Sequence, residues 1–517
     1  MTIRFKSCRR AIPILLYAVC IACLTPCGTG LAADELPEVS QRAPVPVPHF
    51  PDKVHAVVWR NWGLVPPARV ADVLGTTADK VKDIASSMGL PRDIEVPSEM
   101  EHRGYITIIR RNWHLLPYEQ LEQLLGVTPE ELAFTLREDD VLYIKLGSLK
   151  PKCEPVKYVE PSPEVRRSAA EIKRIVEQQF GELQKQHQEP RFSFVSALSQ
   201  PPETAVPIST ADTASLGAES PRFIYSYFAL YGDPLSKPEL DPFPEGLLAR
   251  LHEQGVNGVW LHVVLRDLAP GGPSFPEWGE GWERRLSNLR KLVARAKRYG
   301  VAVYLYINEP RAMPNKFFDS RPEMAGVHDG DYTALCTSNP EVRAWLSDSL
   351  AHVFREVPGL GGIFTITASE NLTNCASHNR QGDCPRCKLR TDTEIIAEVI
   401  SAMEEGVHRT APHAKVIVWD WGWKGHGEAP DIIAKLPPSV WLMSVSEWAL
   451  PIERGGIKST VNEYSMSAVG PGPRATREWQ FAKQRGLKTV AKIQVNNTWE
   501  LSSVPYLPVM DLVAEHC

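Results

Sequence analysis

The sequence predicts an α/β protein built on a (β/α)8 barrel, and three observations predict it. Apolar strand-like segments recur between amphipathic helices from Arg222 onward, seven such strands can be counted, and no glycine-rich phosphate-binding fingerprint follows the first. The strands are 223–230, 258–264, 301–307, 362–367, 415–419, 440–445 and 489–495. Helices are expected at 283–299 and 339–355, the latter opened by Asn339-Pro340 as cap and first-turn pair and closed by Gly359. The barrel domain takes in 221–517. No eighth strand is found before Cys517, so this domain is expected to be incomplete at its C-terminus.

At 517 residues the chain has room for two to four domains of roughly 100 to 200 residues. Lysine and arginine total 57 against 62 acidic residues, and like charges nowhere form a long run, which excludes a nucleic-acid partner held by electrostatics. Apolar residues make up 43% and include 14 tryptophans, so the chain folds and is rich in rings that stack on flat ligands.

Residues 1–33 read as a secretory signal: a basic start (Arg4, Lys6, Arg9, Arg10), an apolar run from Ala11 to Leu24, and small residues before a cleavage near Ala32 or Ala33. That run is shorter than the roughly 20 residues a membrane span needs. A secreted or periplasmic protein with no integral membrane segment after cleavage is the expectation. Residues 34–52 are Pro-rich and read as a mobile linker.

Residues 53–150 contain a duplication. Asn61, Trp62, Pro66, Leu74 and Gly75 recur as Asn112, Trp113, Pro117, Leu125 and Gly126, always 51 positions on. Each copy reads as a short strand or turn ending in Asn-Trp, a Pro-started helix, a Leu-Gly break and a helix capped by Thr77 or Thr128, that is, a helix-turn-helix-like unit. It is either a packing domain or a weak glycan- or protein-binding module. Residues 151–220 read as a small α/β bridge, with a helix near 163–186 and a strand-like FSFVSAL at 192–198, followed by a Ser/Thr/Ala/Pro linker.

In such barrels, chemistry sits where strands end and loops begin. The ends here are acidic and aromatic: His262 in strand two; Glu309 and Arg311 after strand three; Glu370 after strand four; Trp419, Asp420 and Trp421 at strand five; Glu447 and Trp448 after strand six; Asn497, Trp499 and Glu500 after strand seven. Indoles stack on the apolar face of a sugar ring while carboxylates and amides bond its hydroxyls. Glycosidic cleavage needs a carboxylic acid for the leaving oxygen and, in most families, a second carboxylate. Glu370 is the candidate acid, because it follows the apolar strand GGIFTIT, where desolvation raises a carboxyl pKa. Glu447, Glu500 and Asp420 compete for the second role. His262, Glu309, Arg311, Trp419, Trp421, Trp448, Asn497 and Trp499 are the candidate substrate-binding residues. Any one of these carboxylates is also open to a salt-bridge or helix-capping role.

At these residues the chain resembles the exported barrel glycoside hydrolases related to families 20 and 67, the β-hexosaminidases and α-glucuronidases. The resemblance runs from Phe223 to the C-terminus and rests on INEPR at 307–311, LCTSNPEVR at 335–343 and the glutamate closing strand four. It implies glycosidase activity on a carbohydrate substrate, with a smaller α/β domain ahead of the barrel that 150–210 matches in part. Family 20 enzymes place an aspartate immediately before the strand-four glutamate; here that residue is Ser369. The departure argues against substrate-assisted cleavage of N-acetylhexosamines, unless Asp420 or Glu447 orients the acetamido group. A non-catalytic carbohydrate-binding barrel of the cell envelope is the alternative reading.

Signal removal leaves Cys153, Cys336, Cys375, Cys384, Cys387 and Cys517. Cys375, His378, Cys384 and Cys387 form a C-x2-H-x5-C-x2-C pattern able to wrap one structural Zn²⁺, while disulfides are the alternative in an exported chain. No cofactor is expected for catalysis, since four protein ligands leave no position for an activated water.

Overall fold

The computed structural model describes residues 36–138, 142–184, 192–202, 220–226, 233–368, 372–495 and 510–517. Its main sheet has seven parallel strands: one (Phe223–Ile224), two (Gly258–His262), three (Ala302–Ile307), four (Gly362–Ile366), five (Lys415–Trp419), six (Trp441–Val445) and seven (Lys488–Lys492). Each pairs with its neighbours in sequence, so spatial order equals chain order. A doubly wound sheet reverses its order part-way across; this one does not.

Side chains alternate across the strands, and both faces are apolar, as a sheet buried on both sides requires. Outward, Val259, Leu261, Val303, Leu305, Ile363, Val416, Val418 and Leu442 join one core with helix residues such as Leu286, Leu289, Leu346 and Ile400. Inward, Tyr304, Phe364, Ile417, Trp441 and Met443 form a second core, packed by Phe223 from strand one and Val490 from strand seven. Both outer strands thus feed one interior cluster, and the sheet curls as in a TIM-like barrel. The interior is aromatic: the Tyr306 and Phe364 rings stack 4.6 Å apart at 12°.

Local signals set the surrounding helices. Helix Pro340–Glu356 starts at Asn339, whose side chain accepts from the Glu341 amide, with Pro340 at the first position. Helix Asp392–Thr410 starts with a reciprocal capping box between Thr391 and Glu394. Two insertions leave the barrel. A three-stranded antiparallel sheet (Met313–Pro314, Ala325–Asp329, Tyr332–Leu335) follows strand three, and a hairpin (Pro451–Arg454, Ile457–Thr460) follows strand six.

Ahead of the barrel, the duplicated segment forms helices Lys53–Asn61, Pro67–Leu74 and Ala78–Ser87, then Tyr105–Asn112, Tyr118–Leu125 and Pro129–Glu138. The segment ending in Asn-Trp is therefore helical rather than a strand or turn. Val57, Val58, Ile108 and Ile109 are buried in the core of these helices, and burial outweighs their β-branched preference. Gly75 and Gly126 end the second helix of each copy at positive φ, 66° and 73°, a conformation that favours glycine. The copies meet about a local twofold. The Asn61 amide donates to Asn112 Oδ1 at 2.9 Å and the Asn112 amide to Asn61 Oδ1 at 2.8 Å, while Arg60 and Arg111 each donate to the other's carbonyl.

Two further expectations change. The Pro-rich segment is not loose: Val39–Ser40 pairs parallel with Lys150–Pro151, and Leu36, Val47 and Phe50 pack on the helical core. FSFVSAL belongs to helix Ser193–Ser199, which packs Val195 into the main core. A short apolar run carries no period that separates a strand from a buried helix. Among the described residues no helix is long and apolar enough to cross a membrane.

Candidate active site

Strand parity decides which rim residues enter the barrel mouth. In strand five, Ile417 and Trp419 face inward and Val416 and Val418 outward, so Asp420 continues the outward row. Its Oδ2 accepts from Ser444 Oγ at 2.7 Å and from Arg474 Nη1 at 3.1 Å, and the residue is fully buried. Arg474 lies on helix Pro473–Gln484, and its guanidinium also covers one face of Trp448, 4.7 Å from the ring centre. Asp420 thus anchors strand five to the helical layer. These contacts favour an anchoring role over the catalytic one expected from the sequence.

Glu309 is held in a similar way. Ile307 lies on the outward face, and two residues on Glu309 is buried, with Oε1 accepting from the Leu265 amide at 2.7 Å and Oε2 from the Arg311 amide at 2.9 Å. It clamps the loops after strands two and three instead of offering an oxygen to a ligand. Burial pushes its carboxyl up to about 7, against the pull of Arg311.

His262 and Arg311 do come together, joined by a residue that sequence reasoning missed. Glu138, at the end of helix Pro129–Glu138, is buried and forms an ion pair with Arg311, and its carboxylate lies 3.8 Å from His262 Nε2. Arg311 Nη2 also donates to His262 Nε2 at 2.9 Å. Burial, then the neighbouring guanidinium, pushes the His262 pKa down to about 4, so the imidazole is neutral near pH 7 with Nε2 as acceptor. The helical repeat therefore closes one side of the mouth, over the ends of strands two and three. No local pattern announces a contact across 173 positions. Arg311→Met is expected to destabilise the protein by about 3–5 kcal/mol, because it leaves a buried carboxylate without its cation. Urea unfolding of the variant and wild type measures this, and equal midpoints would contradict it.

The opposite side of the mouth is aromatic. Ile366, Trp421 and Val445 form a small cluster packed by Tyr306, Trp419, Trp448 and Tyr464. The Trp421 indole donates to Glu463, in the segment following the strand-six hairpin. Trp419 is half-buried at the strand end, and its indole N–H has no partner among the described residues. Asn308 likewise has an unpartnered Oδ1 there, while its amide donates to Tyr306 Oη at 3.0 Å.

Glu447 lies at this aromatic side. It is fully buried, accepts from the Gln494 amide at 2.7 Å, and has His516 Nδ1 at 3.7 Å. Lys492, at the end of strand seven, is electrostatically coupled to Glu447 and Glu463 and sits 3.6 Å over the Tyr464 ring; burial pushes its pKa down to about 8. Glu463, Tyr464 and Lys492 were not read from the sequence; the first two arrive on an insertion and Lys492 reads as an ordinary strand lysine. Glu370, Asn497, Trp499 and Glu500 lie outside the described residues.

Behind Asp420, Glu478 accepts from the Ala429 amide at 2.8 Å, and burial pushes its pKa up to about 7 from 4.5. With Glu309, it binds more protons folded than unfolded across that interval. The resulting stability is fully present below about pH 4.5 and is lost as pH rises through about 7. Glu478→Gln keeps the acceptor oxygen and should make the decline in unfolding free energy from about pH 5 to 7 shallower. An unchanged slope in denaturant titrations across that range would contradict the assignment.

The four thiols nearest strand four converge. Cys336, Cys375, Cys384 and Cys387 are buried, with sulfurs all within 4.8 Å of one another. His378, read as a metal ligand, is not among them. The backbone is left-handed there (φ 56°), and Nδ1 lies 3.5 Å from Asp329 Oδ2. Cys336 takes the fourth place.

No protein-family model and no curated protein matches the chain. Solved structures with partial likeness include glycoside hydrolases. A chitobiase of Flavobacterium johnsoniae is 15% identical at TM-score 0.30, over 48% of this chain and 34% of that one. A family 20 exo-β-N-acetylglucosaminidase of Vibrio harveyi in complex with N-acetylglucosamine is 11% identical at TM-score 0.31, over 57% and 54%. A family 89 glycoside hydrolase from Clostridium perfringens is 13% identical at TM-score 0.32, over 52% and 30%. The chain thus spans about a third to a half of their lengths, and no residue receives a role by correspondence at this level of overlap.

Proposed function

We propose that this chain is a secreted glycoside hydrolase acting on an oligo- or polysaccharide, with Glu370 as general acid and Glu447 as the second carboxylate. The observation that carries the reading is the buried Glu447 carboxylate, coupled to Lys492, which in turn sits over Tyr464 in the cluster with Trp419, Trp421, Trp448 and Tyr306 at the strand ends. The rings would bind a sugar's apolar face, and the indole N–H of Trp419 and Oδ1 of Asn308 would take hydroxyls. Glu370 protonates the glycosidic oxygen as the bond breaks, and Glu447 attacks the anomeric carbon or activates the water that does. Arg474 and Ser444 both engage Asp420 Oδ2, which favours Glu447 over Asp420 for that step. Export rests on the signal-like residues 1–33.

The sugar follows from a panel of aryl glycosides, including N-acetylglucosaminide, galactoside, glucuronide and glucoside. Release of the aryl group from one member supports the reading and names the sugar; with Ser369 before Glu370, the N-acetylhexosaminide holds no advantage. The aromatic wall equally suits a carbohydrate-binding protein without catalysis. That second reading is favoured if oligosaccharides bind and no member is cleaved.

A further inference from the structure

We infer that Cys336, Cys375, Cys384 and Cys387 form a tetrahedral four-thiolate site for a structural Zn²⁺ that ties the antiparallel insertion after strand three to the loop after strand four. The site goes beyond the proposed hydrolysis and stands without it.

The geometry is that of a metal tetrahedron. With Zn–S bonds of about 2.3 Å, a regular tetrahedron has S–S edges of about 3.8 Å. Cys336 Sγ lies 3.7 Å from Cys384 Sγ and 3.7 Å from Cys387 Sγ, and all four sulfurs lie within 4.8 Å. Disulfides would join sulfurs in pairs about 2.05 Å apart, whereas here one sulfur is equally close to two others. Two ligands come from one tight turn, in which the Cys387 and Lys388 amides donate to the Cys384 carbonyl at 3.1 and 2.9 Å. Cys375 comes from the strand-four loop, and Cys336 directly follows strand Tyr332–Leu335 of the insertion.

The surroundings fit a dianionic metal centre. Arg386 Nε donates to Cys336 Sγ at 3.3 Å, and Ser338 Oγ lies 3.1 Å from Cys387 Sγ; such outer contacts balance thiolate charge and fix ligand orientation. The insertion makes room for the cluster: a Cβ on Gly326 would fall 2.7 Å from Cys375 Sγ. Four thiolates fill the coordination sphere, so the ion does not activate water. Its effect is mechanical. From Cys375 the order runs back through Ser377 Oγ, which accepts from the Thr373 amide, to Thr373 Oγ1, which accepts from the Ala368 amide at 2.8 Å, bracketing the stretch that carries Glu370.

The test is the metal content of full-length protein purified without chelator, with thiol and disulfide mapping of the same sample by mass spectrometry. About one zinc per chain is expected in wild type and in His378→Ala, and a loss of more than about tenfold in retained zinc in Cys336→Ser. If Cys336→Ser does not fold, Co²⁺ substitution of the wild type decides instead, with intense sulfur-to-cobalt charge-transfer absorption expected for four thiolates. The inference is overturned by disulfides among these four cysteines, by the absence of stoichiometric zinc, by stoichiometric iron in its place, by a cobalt spectrum lacking thiolate bands, or by zinc lost from His378→Ala and kept in Cys336→Ser. None of these readouts depends on glycoside cleavage.

Discussion

Glu370→Gln is expected to lower the turnover of cleaved glycosides by about 10²–10⁴-fold while leaving oligosaccharide affinity within a few-fold, because the amide keeps the shape of the carboxyl and loses the transferable proton. The loss should shrink for aryl glycosides with acidic leaving groups. A departing oxygen that is already stable as an anion needs little protonation. Steady-state kinetics on a strongly and a weakly acidic leaving group separate the two cases. Equal losses on both would place Glu370 outside the acid role, and an unchanged rate would make it structural.

The second large effect belongs to Glu447. Glu447→Gln retains an oxygen to accept from the Gln494 amide but removes the negative charge. Turnover should fall by at least about 10²-fold, with unfolding behaviour close to that of wild type. Glu447→Ala opens space at the same point, and a small external anion such as azide or formate should restore part of its rate. Rescue distinguishes a carboxylate that acts on the substrate from one that only holds the loop after strand seven.

Much of the architecture was legible because barrel physics writes itself locally. Strands two, five and six are mostly apolar runs such as VIVW at 416–419, bounded by turns, and alternating helices fix a parallel sheet in chain order. The repeat was legible from five matched positions, although its Asn-Trp segments proved helical because tertiary packing, which no short window contains, buries Val57, Val58, Ile108 and Ile109.

Less of the site was legible, for two physical reasons. Position after a strand says which end of the barrel a residue occupies, but parity along the strand says which face. Trp419 and Asp420 are adjacent, and they fall on opposite sides of the sheet wall. Counting inward from Ile417 would have turned Asp420 away. Long-range partners left no such trace: Glu138 meets Arg311 from another part of the chain, and Cys336 stands 39 positions before Cys375, outside any compact ligand motif.

The central claim is that Glu447, and not Asp420, is the carboxylate that acts with Glu370. Its most direct test is the rate constant for hydrolysis of the preferred aryl glycoside by wild type, Glu447→Gln and Asp420→Asn, each at a temperature where all three are folded. Near-complete loss in Glu447→Gln, with Asp420→Asn keeping most of the rate at lowered stability, is the result predicted. Full activity in Glu447→Gln together with an inactive, well-folded Asp420→Asn would contradict it.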